Sequence, residues 1–151
     1  MSIWQGPRED ENSVLIVGEK VGRGGASLVY QGTSNGKVCA IKKFRVTETE
    51  NLDQNAFSQL YSEFRRELWN LNELHHKNIL SLWSFSKSQL HITAEFVPHG
   101  NLYYYLHNQS MTIDWPMRLR IALDIAEAMQ FLHNQKPSII HMDLKSPNGK
   151  F

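Results

Sequence analysis

The sequence has 151 residues and a mass of 17.5 kDa, the size of one domain or of part of a larger one. Hydrophobic residues make up 41% and charged residues 21%, so a packed core is expected and wholesale disorder is excluded. Lys and Arg number 16, Asp and Glu 15, and the net charge of +1 argues against binding to nucleic acid or a membrane surface through bulk charge. No apolar run approaches the roughly 18 residues of a membrane span, and the N-terminus lacks the apolar core of a signal peptide. A single cysteine, Cys39, excludes an internal disulfide and fits the reducing cytosol, so we expect a cytoplasmic location.

The first half of the sequence predicts a small antiparallel sheet. A polar leader at 1–12 is expected to be flexible, and apolar, β-branched runs then predict strands at 15–21, 28–30 and 38–44. A glycine-rich bend separates the first two strands. Asn35-Gly36 separates the next two and is a strong hairpin signal, because both turn residues need a positive φ.

A helix and two more strands are predicted next. Apolar residues recur at helical spacing from Phe57 to Leu71, and strand-like runs follow at 79–85 and 90–97. The remainder is predicted to be helical. A short helix covers 101–107, and a longer one runs to about His133 with Asp114 as its N-cap.

Two features near the start of the chain are suited to holding a phosphate. The bend Gly22-x-Gly24 lets backbone N–H groups approach a phosphate without a Cβ in the way, although an ordinary turn has the same composition. A strand follows this bend rather than a helix, which excludes a dinucleotide-binding loop. Lys42 shares a strand face with Val38 and Ala40 and could reach a phosphate held there, or it could be a solvated strand lysine.

Glu67 is a candidate partner for this lysine. It lies at the border of the apolar helix stripe, three residues after Phe64 and four before Leu71. A carboxylate at such a border needs a partner, and Lys42 is the natural one. The alternative is a glutamate at the rim of the helix that bonds to solvent.

The segment His141-Met142-Asp143-Leu144-Lys145-Ser146-Pro147-Asn148 is the most specific signal in the sequence. The Asp can accept a hydroxyl proton, the Lys can neutralise a γ-phosphate, and the Asn can ligate a magnesium ion.

Together these motifs resemble the protein-kinase family, in the family's order, from about Val14 to Asn148. The resemblance implies an α+β, protein-kinase-like fold with a five-stranded antiparallel N-lobe sheet, an αC helix and a partial helical C-lobe. The N-lobe would span 13–98, and the hinge exit with the start of the C-lobe 99–151. Ile113-Asp114-Trp115-Pro116 and Pro137-Ser138-Ile139-Ile140-His141 look like the tyrosine-kinase-like serine/threonine group, which includes mixed-lineage, receptor-like and Roco (leucine-rich-repeat) kinases, and we favour Roco.

The resemblance also implies ATP and Mg²⁺ as cofactors and a role for each matching residue. Asp143 would be the catalytic base and Lys145 its phosphate-side helper, Lys42 would pair with Glu67, and Asn148 would be a metal ligand. The glycine loop would contribute Gly22, Gly24 and Ser27 to nucleotide binding, and Val21, Val29 and Ala40 would form the roof over the adenine. Ala94 would be a small gatekeeper, and Glu95 and Val97 would belong to the hinge.

Several positions depart from the family pattern. Met142 replaces the usual Arg, Ser27 replaces a glycine, and Lys150 stands where an apolar residue floors the adenine. The sequence ends three residues after Asn148 without an Asp-Phe-Gly tripeptide. We therefore expect a serine/threonine kinase domain that is catalytically incomplete as this chain alone. The alternative is a truncated pseudokinase that acts as a nucleotide-binding or regulatory module.

The expected partners are ATP and, in a complete form, a protein with a serine or threonine hydroxyl; no nucleic acid and no membrane are expected. The long helix carries apolar residues around most of its girth, among them Leu119 and Leu123. Apolar surface left in water favours association. We expect self-association through this exposed helical face.

Overall fold

A computed structural model describes residues 8–10, 14–45, 54–108 and 112–149. Their strands are β1 (Arg8–Glu9), β2 (Leu15–Arg23), β3 (Ser27–Ser34), β4 (Lys37–Phe44), β5 (Leu82–Ser86) and β6 (His91–Glu95). The helices are α1 (Gln54–Glu73), α2 (Leu102–His107) and α3 (Trp115–His133), and a 3₁₀ turn covers Ser146–Asn148.

The strands form one sheet in the order β1-β5-β6-β4-β3-β2. All pairings among β2 to β6 are antiparallel, which confirms the predicted five-stranded antiparallel sheet. The predicted hairpin is present, since Asn35 and Gly36 take φ values of 50° and 79° between β3 and β4. A side chain strains such a turn, so glycine suits the second position.

The leader contributes to the sheet, which the sequence did not predict. Arg8 and Glu9 pair in parallel with Ser84 and Phe85 of β5, and the Asp10 N–H donates to the Phe85 carbonyl at 2.9 Å. The pairing extends over too few residues to leave a periodic pattern. Residues 1–7 and 11–12 of the predicted leader lie outside the described residues.

Several strand boundaries differ from the prediction: β2 ends at Arg23 rather than at 21, and β3 covers Ser27–Ser34 rather than 28–30, whereas β5 and β6 are shorter than predicted. The run predicted from residue 79 becomes a strand only at Leu82, because the Ile79 N–H closes a turn onto the His76 carbonyl at 3.0 Å. The next run starts at His91 rather than at Leu90, which has a positive φ of 46° in the preceding turn. Apolar character extends past the ends of both strands, so composition alone overestimates their lengths.

The chain divides into two compact units. The first comprises Met1–His75 and Leu80–Phe96, and the second comprises His76–Ile79 and Val97–Phe151. In the first unit, α1 packs on the sheet through a core formed by Phe44, Leu60, Phe64, Leu82, Leu90 and Ile92. Burial of these apolar side chains is the main stabilising contribution.

The second unit is built around α3. Asp114 is its N-cap, as predicted, and its side chain accepts from the Met117 N–H at 2.9 Å. The loop segment 76–79 belongs to this unit because Asn78 reaches α3 through its side-chain amide, which donates to the Asp124 carbonyl at 3.0 Å and to Glu127 at 3.1 Å. The expected N-lobe at 13–98 includes that segment.

Candidate functional site

The glycine bend lies between β2 and β3 in the first unit. The Gly24 N–H donates to the Ser27 carbonyl at 2.8 Å and closes the turn. A Cβ on Gly24 would lie 2.7 Å from the Ser27 hydroxyl, which would have to turn away, whereas a Cβ on Gly25 would meet open space. Ser27 itself is buried.

Val29, Ala40 and Lys42 share one face of the sheet. Val29 lies opposite Lys42 in the β3–β4 register, and Gly22 lies opposite Val29 in the β2–β3 register. Ala40 is two residues before Lys42 and therefore projects to the same side. Val21, next to Gly22, is about half exposed. Val29 and Ala40, two of the three residues that the family resemblance assigns to an adenine roof, thus lie on this face, while Val21 lies at an irregularity in the β2–β3 register.

Lys42 meets Glu67 on this side of the sheet. Its Nζ lies 2.6 Å from Oε1 and 2.5 Å from Oε2 of Glu67, and the two side chains are 29% and 31% exposed. Leu60 and Phe64 form the buried stripe of α1, and Glu67 follows Phe64 by three residues, which turns its carboxylate toward β4. The contact expected between these residues is present.

The segment between the two units contains the predicted gatekeeper and hinge. Ala94 is buried on β6 and lies opposite Ala40 in the β4–β6 register. The Glu95 N–H donates to the Ser81 carbonyl at 2.9 Å, and the Val97 carbonyl accepts from Gly100 at 3.4 Å. The first of these bonds occupies the Glu95 N–H.

Asp143, Lys145 and Asn148 converge in the second unit. Lys145 Nζ lies 2.9 Å from Asp143 Oδ1, and Asn148 Nδ2 donates to Asp143 Oδ2 at 2.9 Å. The Asn148 N–H bonds to the Lys145 carbonyl at 2.9 Å and so closes the 3₁₀ turn that brings the two side chains back to Asp143. The hydrogen bond from Lys145 and then that from Asn148 lower the pKa of the Asp143 carboxyl. It is therefore an anion at neutral pH.

The residue before Asp143 has an unusual backbone. Met142 has a φ of 60°, the left-handed region that few non-glycine residues adopt, and its side chain is almost fully exposed. The Asp143 N–H donates to the His141 carbonyl at 2.8 Å across this bend. The bend presents the Asp143 carboxylate to solvent, where its side chain is 62% exposed.

The predicted site residues therefore form two described groups. Lys42 and Glu67, together with the glycine bend and the gatekeeper, belong to the first unit, and Asp143, Lys145 and Asn148 belong to the second. The sequence analysis missed Phe44, whose ring centroid lies 5.4 Å from the Lys42 ammonium. Alternation along β4 was the available signal, because residues 42 and 44 share a face.

Clustered metal ligands and membrane-spanning helices are both absent from the described residues. Within the described residues, there is no group of three or more His, Cys, Asp or Glu side chains arranged to hold a metal ion. None of the helices in the described ranges combines the length and the apolar character needed to cross a membrane.

Comparisons with known proteins agree with these motifs. Probable serine/threonine-protein kinase pats1 of Dictyostelium discoideum is 45% identical over 140 residues, which cover 89% of this chain and 4% of that protein. Probable serine/threonine-protein kinase roco5 of the same organism is 41% identical, and the match covers 89% of this chain and 5% of that protein. Its name agrees with the predicted Roco resemblance. Probable serine/threonine-protein kinase SIS8 of Arabidopsis thaliana is 40% identical, and the match covers 89% of this chain and 12% of that protein.

The chain thus spans 4% to 12% of the length of these three curated relatives. The model of the protein kinase domain matches residues 15–148, which include the glycine bend, Lys42, Glu67 and the Asp143–Asn148 turn. With nearly the whole sequence inside that match, the chain belongs to the protein kinase domain family.

Proposed function

We propose that these residues are the nucleotide-binding and catalytic-loop parts of a protein serine/threonine kinase, which transfers the γ-phosphoryl group of ATP to a protein hydroxyl. The observation that carries the proposal is the Asp143 carboxylate held between the Lys145 ammonium and the Asn148 amide. Its lowered pKa keeps it ionised at neutral pH. Phosphoryl transfer needs a proton acceptor beside the attacking hydroxyl and a cation beside the transferred group.

Asp143 orients the substrate hydroxyl and accepts its proton at a carboxylate oxygen. Lys145, 2.9 Å from the same carboxylate, provides positive charge on the phosphate side. Positioned charge of this kind contributes most where it matches the charge of the transition state.

Lys42 binds the α- and β-phosphates. Its two contacts with Glu67 hold the ammonium in one place and leave one of its three N–H donors for a phosphate oxygen. Gly22, Gly24 and Ser27 bring backbone N–H groups to the same phosphates.

The adenine lies against Val21, Val29 and Ala40. The backbone of Glu95 to Val97 would meet the adenine edge, except for the Glu95 N–H, which already donates to the Ser81 carbonyl. Ala94 as gatekeeper leaves space behind the ring, since its side chain is a single methyl group.

Asn148 fits a magnesium ion. Its amide nitrogen is bonded to Asp143, so its Oδ1 is the atom of that amide left to serve as an oxygen ligand. Magnesium takes few protein ligands and keeps water and phosphate oxygens as the others. When bound, the ion would supply positive charge to the phosphate oxygens.

A second candidate function is a pseudokinase module that binds nucleotide or a regulatory partner without transferring phosphate. Lys150, which stands where the family pattern has an apolar residue under the adenine, favours this reading. A cytoplasmic location is proposed for either function. Cys39 is a free, buried thiol, and thiols stay reduced in the cytosol.

A chimera tests the kinase proposal. Residues 1–148 would be joined to the corresponding following residues of the pats1 kinase domain and incubated with radiolabelled ATP and a serine/threonine protein substrate. We expect transfer that falls by at least about 10³-fold in Asp143→Asn, because the proton acceptor is lost. A folded chimera whose transfer equals that of Asp143→Asn contradicts the proposal.

The 151-residue chain alone tests nucleotide binding. We expect no transfer above its Asp143→Asn variant, but a rise in Tm with Mg²⁺ and ATP that Lys42→Met abolishes. Transfer above the variant would contradict the expected incompleteness, and the absence of any ATP-dependent rise would contradict nucleotide binding by this chain.

A further inference from the structure

Phe44 lies beside the Lys42 ammonium, inside the core of the first unit. It is two residues after Lys42 on β4, its ring centroid is 5.4 Å from Nζ, and it is 7% exposed. A cation at this distance over an aromatic ring is attracted by the electron-rich face of that ring. The ammonium therefore has two anchors, the Glu67 carboxylate and the Phe44 ring.

Phe44 also contacts the helix that carries Glu67. Its ring and that of Phe64 are 5.5 Å apart with an interplanar angle of 84°, an edge-to-face arrangement. Phe64 is fully buried and lies three residues before Glu67 on α1. The same two elements, β4 and α1, are thus joined twice, once by an ion pair and once by an aromatic pair.

We propose that Phe44 is a positioning residue for Lys42, and that Phe64 fixes the Phe44 ring in the orientation that Lys42 requires. The Lys42 side chain has four rotatable bonds, and the carboxylate restrains it only at its tip. The ring restrains the ammonium from a second direction and links its position to the packing of α1. This inference rests on the proposed nucleotide-binding role of Lys42.

The test compares three variants of the 151-residue chain. Phe44→Leu keeps the apolar volume and removes the ring, while Phe44→Tyr keeps the ring. Phe85→Leu is the matched control, because Phe85 lies on the same sheet and its ring is 5.7 Å from a different lysine, Lys87. The readout is the rate at which an N-hydroxysuccinimide ester acylates Lys42, measured by peptide mass spectrometry and normalised to the exposed Lys37.

We expect Phe44→Leu to raise the Lys42 acylation rate by about 2- to 10-fold, the range that corresponds to losing a cation–π contact. Phe44→Tyr and Phe85→Leu should leave the Lys42 acylation rate within about twofold of the wild-type rate. In a Glu67→Gln background, Phe44→Leu should raise the Lys42 acylation rate by a smaller factor than it does in the wild-type chain. The two anchors act on one ammonium, so their effects are coupled. A merely structural role would give no such coupling.

An unchanged Lys42 rate in folded Phe44→Leu, or an equal rise in Phe85→Leu, overturns the inference. If Phe44→Leu does not melt cooperatively, Phe64→Leu is measured instead. We expect it to raise the Lys42 acylation rate by a smaller factor, and an unchanged rate would count against the inference. ATP titration of the same proteins keeps the two proposals apart. Failure of the wild-type chain to bind ATP contradicts the proposed function, while the acylation rates still decide the role of Phe44.

Discussion

Asn148 donates through one amide nitrogen to both the main-chain carbonyl and the side-chain Oδ2 of Asp143, each at 2.9 Å. This double contact closes the catalytic-loop turn. With Lys145 on the other carboxylate oxygen, it holds the carboxylate in one orientation.

Removing either donor should raise the pKa of Asp143. Lys145→Met removes the larger cause of the lowered pKa and Asn148→Ala the second, so the carboxyl should titrate at a higher pH in both variants. The stability from these contacts is present above the ordinary carboxyl pKa of about 3.9 and is lost as the pH falls through the lowered one. Carboxyl ¹³C NMR titration measures the shift. Lys77→Met, whose partner is Glu127, should leave the Asp143 titration unchanged.

The ion pair between Lys42 and Glu67 should matter more for nucleotide binding than for stability. Glu67→Gln keeps the shape and removes the charge, and the pair is partly solvated, so the free energy of unfolding should fall by about 1 kcal/mol or less. The rise in Tm on adding ATP should be smaller, because the ammonium loses the carboxylate that fixes it and keeps only the Phe44 ring. Glu63→Gln, at an exposed position one turn earlier on α1, is the control, and an equal loss there would contradict this role for Glu67.

Acidification should destabilise the first unit through His91. This side chain is 4% exposed, and its pKa is lowered by burial first and by the charge of Lys43 second, while Asp10 acts in the opposite direction. The unfolded chain therefore binds the proton more readily, and stability should fall as the pH decreases below the ordinary histidine value of about 6.5. Urea unfolding at pH 7.5 and 5.5 should show a smaller loss in His91→Gln than in the wild type.

Thr93→Val is the control for that experiment. Thr93 is fully buried two residues from His91, and its hydroxyl has no hydrogen-bond partner among the described residues. Replacing this unpaired hydroxyl should be neutral or stabilising at both pH values, since a buried unpaired polar group carries a desolvation cost. A pH dependence that Thr93→Val removes and His91→Gln retains would contradict the assignment to His91.

Asn78 should be important for the stability of the second unit. Its Nδ2 lies 3.0 Å from the Asp124 carbonyl, 3.2 Å from Asp124 Oδ1 and 3.1 Å from Glu127 Oε2. Asn78→Ala should lower the free energy of unfolding by about 1–3 kcal/mol, because partly buried acceptors lose their donor. Asn72→Ala, which removes a surface contact on α1, is the control. It should change the free energy of unfolding by less than about 0.5 kcal/mol in the same thermal or urea measurement.

The apolar face of α3 should cause self-association, as the sequence analysis expects. Leu119 and Leu123 are one turn apart and are 57% and 59% exposed. The double change Leu119→Lys, Leu123→Lys should weaken association by at least about tenfold in sedimentation velocity, which corresponds to about 1.4 kcal/mol of lost apolar burial. Gln130→Lys adds a charge to an exposed polar position of the same helix and should change little. A wild-type chain that stays monomeric at all concentrations would contradict the prediction.

Local chemistry made several elements predictable. Asn35 and Gly36 form the expected turn because few other residue pairs accept two positive φ values. Asp114 caps α3 because its carboxylate reaches a free N–H of the first turn. The contact between Lys42 and Glu67 followed from the periods of a strand and a helix, which placed both groups at the border of one core.

Long-range contacts decided what the sequence left open. No local pattern indicates that Arg8 and Glu9 add a strand to β5, or that Asn78 joins α3 rather than the sheet. The contact between Lys42 and Phe44 also depends on the side chains that surround them, because strand alternation gives a shared face but no ring orientation.

The amino-acid sequence by itself determined the kinase motifs, their order along the chain and the secondary structure that carries them, since these depend on residue chemistry and on periods of a few residues. Only the tertiary structure decided which partners surround each functional side chain. That choice depends on packing between residues far apart in the chain. Examples are the Phe44–Phe64 pair beside Lys42, the burial of His91, and the contact of Asn78 with α3.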